Sequence, residues 1–263
     1  KFKRKILNKE RHYMKYSIGI VTCRYRYEKY FIPLLKKIKS IKPEIEIICC
    51  VNGEAHEDFN NKYRSDILKL CGDYKNVFPM IWTTFRSLAK LWNTCIINSS
   101  ENHVLILNDD VMVDEQFFEF IDRLEEQDTF TLSRSWSAFM ANRKQINDTG
   151  WFDERLLGVC NEDGDMAYRL FLKYKKPVKN YFVSYANFTS NSHGDSNHLK
   201  NQKTISKYSL YNHDFTHDKY KRDDINGIGD GYFFFDGKKV SQHIKDIPQY
   251  PYEEYFWDNK HKL

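Results

Sequence analysis

The sequence predicts an α/β fold: a mostly parallel central sheet with helices on both faces, followed by an irregular carboxyl-terminal extension. Two observations carry this. The first 108 residues alternate four times between a short apolar run and a longer stretch with helical apolar spacing, as strands joined by crossover helices do. Beyond about residue 200 the periodicity fades while Tyr, Phe, His and Asp abound.

"YSIGIVTC", residues 16–23, reads as a buried strand rich in β-branched residues. A helix is expected from Glu28 to Ser40, with Ile32, Leu34, Leu35, Ile38 and the following Ile41 on its apolar side. "EIEIICCV", residues 44–51, is the second strand, stopped by the turn formers Asn52 and Gly53. A helix from His56 to Leu70 leads to "VFPMIW", whose proline suggests an edge strand or a bulge. A helix from Thr84 to Asn98 then precedes "HVLILN".

After this the alternation weakens. A helix near 114–126, strand-like "TFTLS" and "SAFMAN", a polar turn, and "GWFDERLLGVCNEDGDMAYRLFLKY" follow. The last ends in an acid-capped helix with Met166, Leu170 and Leu172 as its apolar side. "GIGDGYFFFDGKK" has the glycines of a hairpin.

The chain has 263 residues, enough for one large domain with an appendage or for two small ones. Hydrophobic content of 41% and interspersed charge exclude the disordered and fibrous classes. No apolar run reaches the ~18 residues that span a bilayer, and "KFKRKILNKERHY" lacks the apolar centre of a signal peptide. The six cysteines are scattered without a C-x-x-C pair, which suggests neither a disulfide framework nor a zinc site and suits a reducing cytoplasm. The net charge of +5 is spread along the chain apart from the amino-terminal cluster, either a solvated surface or an attraction to phosphates or lipid headgroups. Residues 1–13 thus read as a basic segment or linker, residues 14–205 as the main domain, and residues 206–263 as an extension suited to binding an acceptor.

The chemistry concentrates in two places. In "VLILNDDVMVDEQFF" a buried strand runs into Asn108, Asp109 and Asp110. In open parallel sheets such strand ends line the ligand crevice. Adjacent carboxylates repel, so a cation or protonation must offset them. Mg²⁺ or Mn²⁺ does this with one or two protein oxygens, completing its shell with phosphate and water. The same two aspartates also fit a helix cap or turn. The second place is Glu162, Asp163 and Asp165, candidate bases for activating a hydroxyl; acids at a helix start also simply suit its dipole.

Taken with "SIGIVTCRYRYEKYFIPLLKKI", "LILNDDV" and "GWFDERLLGVCNEDGDMAYRL", the chain resembles the metal-dependent glycosyltransferases of the GT-A (Rossmann-like) fold, in particular the inverting family 2, over roughly residues 16–200. The resemblance implies a strand leading into an Asp-x-Asp motif, here with Asn108 first and Asp110 last. It implies Mn²⁺ or Mg²⁺ as cofactor, held by Asp110, Asn108 and the His193 of "TSNSHGDSN". Thr22, Tyr25, Asn52, Arg86 and Asp109 fall on the nucleotide side, Asp163 is the expected catalytic base, and Glu162 lies close to the sugars. Asp165 is expected to cap the helix and contact Arg169.

Val51 stands where the family commonly has a base- or ribose-binding Asp, so the nucleotide is assigned only by default, as uridine or thymidine diphosphate. With no Gln-x-x-Arg-Trp motif, a single hexosyl or deoxyhexosyl transfer to a hydroxyl of a glycan or lipid-linked glycan is expected, with at most peripheral membrane association at the cytoplasmic face. Trp82, Trp92, Trp136 and Trp151 are placed to lie near the crevice or in the core.

Nucleotide-binding loops and nucleophile elbows are absent, and no nucleic-acid reader motif appears. Two other readings fit the same layout. A nucleotidyltransferase making activated sugars would normally carry a glycine-rich loop after the first strand, and "TCRYRYEKY" has no glycine. A non-catalytic glycan-binding domain would bind glycan but release no nucleotide diphosphate.

Overall fold

A computed structural model describes residues 14–24, 26–53, 60–83, 85–156, 158–184, 186–187, 212, 215, 216, 219 and 220. Tyr25, His193 and the expected carboxyl-terminal hairpin lie outside the described residues.

The first four strands are β1 (Tyr16–Thr22), β2 (Ile47–Val51), β3 (Val77–Ile81) and β4 (His103–Asn108). They are mutually parallel, and the seven-stranded sheet runs β3-β2-β1-β4-β7-β6-β8. β7 (Ser135–Asn142) is antiparallel to β4, β6 (Phe130–Leu132) is antiparallel to β7, and β8 (Lys179–Tyr181) is parallel to β6. The sheet is therefore mixed but parallel through its centre. A short β5 (Val111–Met112) pairs outside it with β9 (Ala186–Asn187).

Strand alternation builds two cores, because successive side chains leave opposite faces. Leu105 and Leu107 join one face with Ile18 and Ile20, beneath helices α1 (Ile32–Ile41), α2 (Asn61–Gly72) and α4 (Glu115–Arg123). Val104 and Ile106 join the other, with α3 (Leu88–Asn98), α5 (Arg143–Thr149) and α6 (Glu162–Tyr174). Helix α3 lies so close that a Cβ added at Gly19 would meet the Cβ of Cys95 at 2.6 Å. Trp92 and Trp151 are buried in this second core, with Trp82 and Trp136 partly buried against it. All six cysteines are free thiols. Pro79 sits in β3, the edge strand, where a missing amide hydrogen is tolerated.

Chain order and sheet order reverse between β1 and β4: from β1 the chain builds outward through β2 and β3, then returns to place β4 on the other flank. Such a switch point opens a crevice at the carboxyl ends of the strands. The register Val21↔Asn108 brings Thr22 beside Asp109 there.

Two local expectations need correction. The first helix begins not at Glu28 but as a wide π-type turn, Tyr27–Phe31, before regular helix starts at Ile32; such turns often mark functional sites. The polar turn after β7 is the helix α5. Asn142 caps it by accepting from the Gln145 amide at 2.8 Å, and Gly150 at φ 99° ends it. Within the expected carboxyl-terminal extension, the described residues 212, 215, 216, 219 and 220 are helical. Among the described residues, no helix is long and apolar enough to cross a membrane.

Candidate active site

The switch point carries the first group. Thr22 Oγ1 donates to Asp109 Oδ2 at 2.7 Å. Arg26 Nε donates to Asp109 Oδ1 at 2.7 Å, and Arg26 Nη2 lies 2.6 Å from that oxygen and 3.0 Å from Asp110 Oδ1. Both aspartates are buried. Burial alone would lower the Arg26 value, but Asp109 and then Asp110 raise it above the ordinary, so the guanidinium is charged. Burial pushes the Asp109 carboxyl up, against the pull of Arg26 and Thr22. The Arg26 guanidinium also lies 5.3 Å from the centre of the Tyr30 ring.

Arg26 was not among the residues expected from sequence. The signal that could have found it is positional: it lies in the loop leaving β1, whose carboxyl end is hydrogen-bonded alongside that of β4. Two carboxylates facing one guanidinium leave the pair with a residual negative charge, favourable to a further cation.

The remaining oxygens suit a hard divalent ion. Asn108 Oδ1 is buried without a hydrogen-bond partner among the described residues, and Asp110 supplies a buried carboxylate beside it. Asp109, with both oxygens engaged by Thr22 and Arg26, is the less suited of the three. Among the described residues no group of three or more His, Cys, Asp or Glu side chains could hold a metal. Phosphate and water oxygens readily fill the other positions around Mg²⁺ and Mn²⁺.

A second group lies at the ends of β2 and β3. Asn52 Nδ2 donates to the Arg86 carbonyl at 2.9 Å, and Asn52 Oδ1 accepts from the Arg86 amide at 2.7 Å and the Gly53 amide at 2.9 Å. One buried amide thus fixes the backbone from which the Arg86 side chain springs, and its guanidinium lies 5.1 Å from the centre of the Trp82 ring. Asn52 itself is tied to β1 by its amide donating to the Thr22 carbonyl at 2.8 Å. The structure therefore joins Asn52 with Arg86, and Thr22 with Asp109.

The third group opens α6. Cys160 and Asn161 have φ of 94° and 71°, the left-handed region that non-glycine residues rarely occupy. Glu162 follows, buried at the first helical position, with Asp163 half-buried beside it. The Gly164 amide donates to Asp163 Oδ1 at 2.8 Å. Burial, then the Asp163 charge, pushes the Glu162 carboxyl up to about 8, although the backbone amides of Glu162 and Cys160 oppose this. At neutral pH Glu162 therefore keeps its proton. The approach to the turn is anchored on α3: the Leu88 amide donates to the Gly158 carbonyl at 2.7 Å, and Asn93 Nδ2 donates to the Phe152 carbonyl at 2.8 Å.

Asp165 belongs to a buried ionic cluster. Arg169 Nε donates to Asp165 Oδ2 at 2.8 Å, the expected contact one helical turn on, and the rest of Arg169 caps the Gly150 and Trp151 carbonyls at 2.7 and 2.8 Å. Lys219 Nζ lies 2.7 Å from both Asp165 Oδ1 and Asp153 Oδ2. The Tyr220 hydroxyl donates to Asp165 Oδ1. Burial would raise Asp165, but Arg169 and Lys219 prevail and hold its carboxyl well below the usual range. The expected side-chain cap is not made by Asp165, whose oxygens serve this cluster. The contribution of Lys219 and Tyr220 was not visible in the sequence.

No protein-family model matches the chain, and no curated protein matches it. Its fold does match solved structures. One of S. aureus TarS is 15% identical with a TM-score of 0.50, over 65% of this chain and 36% of that one. S. aureus TarS 1–349 in complex with UDP is 15% identical over 65% and 60% of the two chains, TM-score 0.47. The mannosyltransferase PcManGT from Pyrobaculum calidifontis, in complex with GDP-Man and Mn²⁺, is 9% identical over 64% and 54%, TM-score 0.45. This chain thus spans only part of the length of each. The fold is that of the GT-A glycosyltransferases.

Proposed function

We propose that this chain is an inverting glycosyltransferase that moves one hexosyl or deoxyhexosyl unit from a nucleotide-diphosphate sugar to a hydroxyl of a glycan or glycolipid. The observation that carries the reading is the buried Asp109–Asp110 pair at the switch point of a GT-A fold, with Thr22 and Arg26 bound to it. By the resemblance, the donor nucleotide is uridine or thymidine diphosphate.

Asp163 takes the proton from the acceptor hydroxyl as its oxygen attacks the anomeric carbon. The bond from that carbon to the diphosphate oxygen breaks, its electron pair leaves with the diphosphate, and the anomeric configuration inverts. Glu162, protonated at neutral pH, donates a hydrogen bond to a sugar oxygen. Thr22 and Arg26 hold Asp109 toward the ribose, and Asn52 holds Arg86 toward the nucleotide. Asp110 and Asn108, with His193, would hold Mn²⁺ or Mg²⁺, which when bound supplies charge stabilisation for the departing diphosphate. The reaction belongs to the reducing cytoplasm, at a membrane face at most peripherally, a setting in which six free thiols persist.

The test is release of nucleotide diphosphate from a panel of UDP- and dTDP-sugars with Mn²⁺ and glycan acceptors, with the product anomer read by NMR. Turnover with inversion, abolished in Asp110→Ala, is expected. Glycan binding without release of nucleotide from any donor would overturn the reading in favour of a non-catalytic domain.

A further inference from the structure

We infer that the carboxyl-terminal helical face carrying Asn212 and Thr216 positions the Glu162–Asp163 turn for catalysis, with Asn212 as the principal positioning residue. The inference rests on the reading of that turn as the acceptor-activating pair.

The caps of the helices supply the first observation. The residues preceding α2, α3, α4 and α5 are Asn60, Ser87, Asp114 and Asn142, and each accepts a hydrogen bond from its own helix. Asn161, preceding α6, makes no such bond. Its Nδ2 instead turns away and donates to Thr216 Oγ1 at 3.3 Å, and Thr216 Oγ1 donates to the Asn212 carbonyl at 2.6 Å. The first amides of α6 are thereby left to the acids themselves, as the bond from the Gly164 amide to Asp163 shows.

The second observation is on the backbone. Asn212 Nδ2 donates to the Val159 carbonyl at 3.2 Å and the Cys160 carbonyl at 2.8 Å. These carbonyls belong to the segment whose next residues, Cys160 and Asn161, are left-handed. Non-glycine residues persist in that region only where their surroundings hold them. Asn212 and Thr216 are fully buried, so water does not compete for these bonds.

Residues 212, 216 and 220 share one helical face, being four apart, with 219 alongside. The same face delivers Lys219 and Tyr220 to Asp165 and Asp153, so the turn is gripped on both sides of Glu162. Lys219 and Tyr220 carry the stability of the docking. Asn212 and Thr216 set the angle at which Glu162 and Asp163 leave the loop.

The full chain is compared with Asn212→Ala, Thr216→Val and Thr216→Ser by amide hydrogen exchange and by steady-state kinetics. Exchange at residues 161–165 is expected to quicken in Asn212→Ala and Thr216→Val while the β4 amides keep their protection, and Thr216→Ser, which retains the hydroxyl, is expected to match the wild type. The kcat of the first two variants is expected to fall by about 10- to 100-fold, with donor KM within about threefold, because a small misplacement of the reacting groups costs that much.

Unchanged exchange at residues 161–165 in both Asn212→Ala and Thr216→Val overturns the inference, whatever the chain turns over. So does quickened exchange with unchanged kcat. If the wild type turns over no donor, the proposed function fails on its own account, and with it the catalytic half of this inference. Thr216→Val keeps the test decisive if Asn212→Ala does not fold.

Discussion

Arg26 and Asp109 meet across the switch point of the sheet, Nε to Oδ1 at 2.7 Å, joining residues 83 apart in the chain. Asp109 is buried while the Arg26 side chain is 30% exposed, so the pair is part of the crevice wall rather than of the core. It explains how a strand can end in adjacent carboxylates before any substrate is bound.

Removing the guanidinium leaves Asp109 buried with Thr22 as its one remaining hydrogen-bond donor among the described residues. Arg26→Gln is expected to destabilise the chain by about 2–4 kcal/mol, the lower part of the range reflecting the partial exposure of Arg26. Asp109→Asn in the same chain is expected to restore part of this. Urea denaturation of the two single variants and the double variant measures the coupling, and additive losses would show that the pair contributes nothing as a pair.

The raised Glu162 carboxyl has a definite consequence for stability. Its value rises from 4.5 to about 8 on folding, so the folded state binds an extra proton between those limits. That stabilisation is fully present below about pH 4.5 and is lost as the pH climbs toward 8. Glu162→Gln removes the titration, so its melting temperature is expected to fall less between pH 5 and pH 8 than that of the wild type, on the order of several degrees for a chain of this size. Parallel curves would contradict the assigned shift.

The cluster around Lys219 acts in the opposite sense. The Asp165 and Asp153 carboxyls are held below their ordinary values, and the stability they confer is present above the unfolded value near 3.8 and lost as the pH falls through the folded one. Lys219→Met leaves two buried aspartates with less positive charge to face. A loss of about 3–5 kcal/mol at neutral pH is expected, with a shallower fall on the acid side, both readable from denaturation curves at several pH values.

Asn52 is expected to affect both folding and binding. Asn52→Ala removes two hydrogen bonds at the Arg86 backbone and one at the Gly53 amide, of which a net ~1 kcal/mol each is an upper guide to the stability change. Nucleotide titration by calorimetry is expected to show UDP affinity falling by about tenfold, a figure equivalent to ~1.4 kcal/mol. An unchanged affinity would take Asn52 and Arg86 out of the nucleotide site.

The sequence was most legible where local pattern and burial coincide. The apolar strands β1, β2 and β4 followed from runs such as "EIEIICCV" and "HVLILN", and of the two readings of the proline in "VFPMIW", edge strand or bulge, β3 takes the edge. The helix α5 was missed although Asn142 followed three residues later by Gln145 is a capping signal, because its seven residues give little periodicity. Arg26 and Lys219 were missed for a different reason. Their partners lie 83 and 54 to 66 residues away, and no local spacing encodes such a pairing. Asp165 with Arg169 was legible because both lie on one helix, four residues apart.

The central claim is that Asp163 is the base, and Asp163→Asn tests it most directly because it changes one atom beside a Glu162 that already holds its proton. Initial rates of sugar transfer with Mn²⁺, at neutral pH and saturating acceptor, are expected to show kcat reduced by about 10²- to 10⁴-fold with donor KM little changed. Full transfer activity in Asp163→Asn would contradict the account.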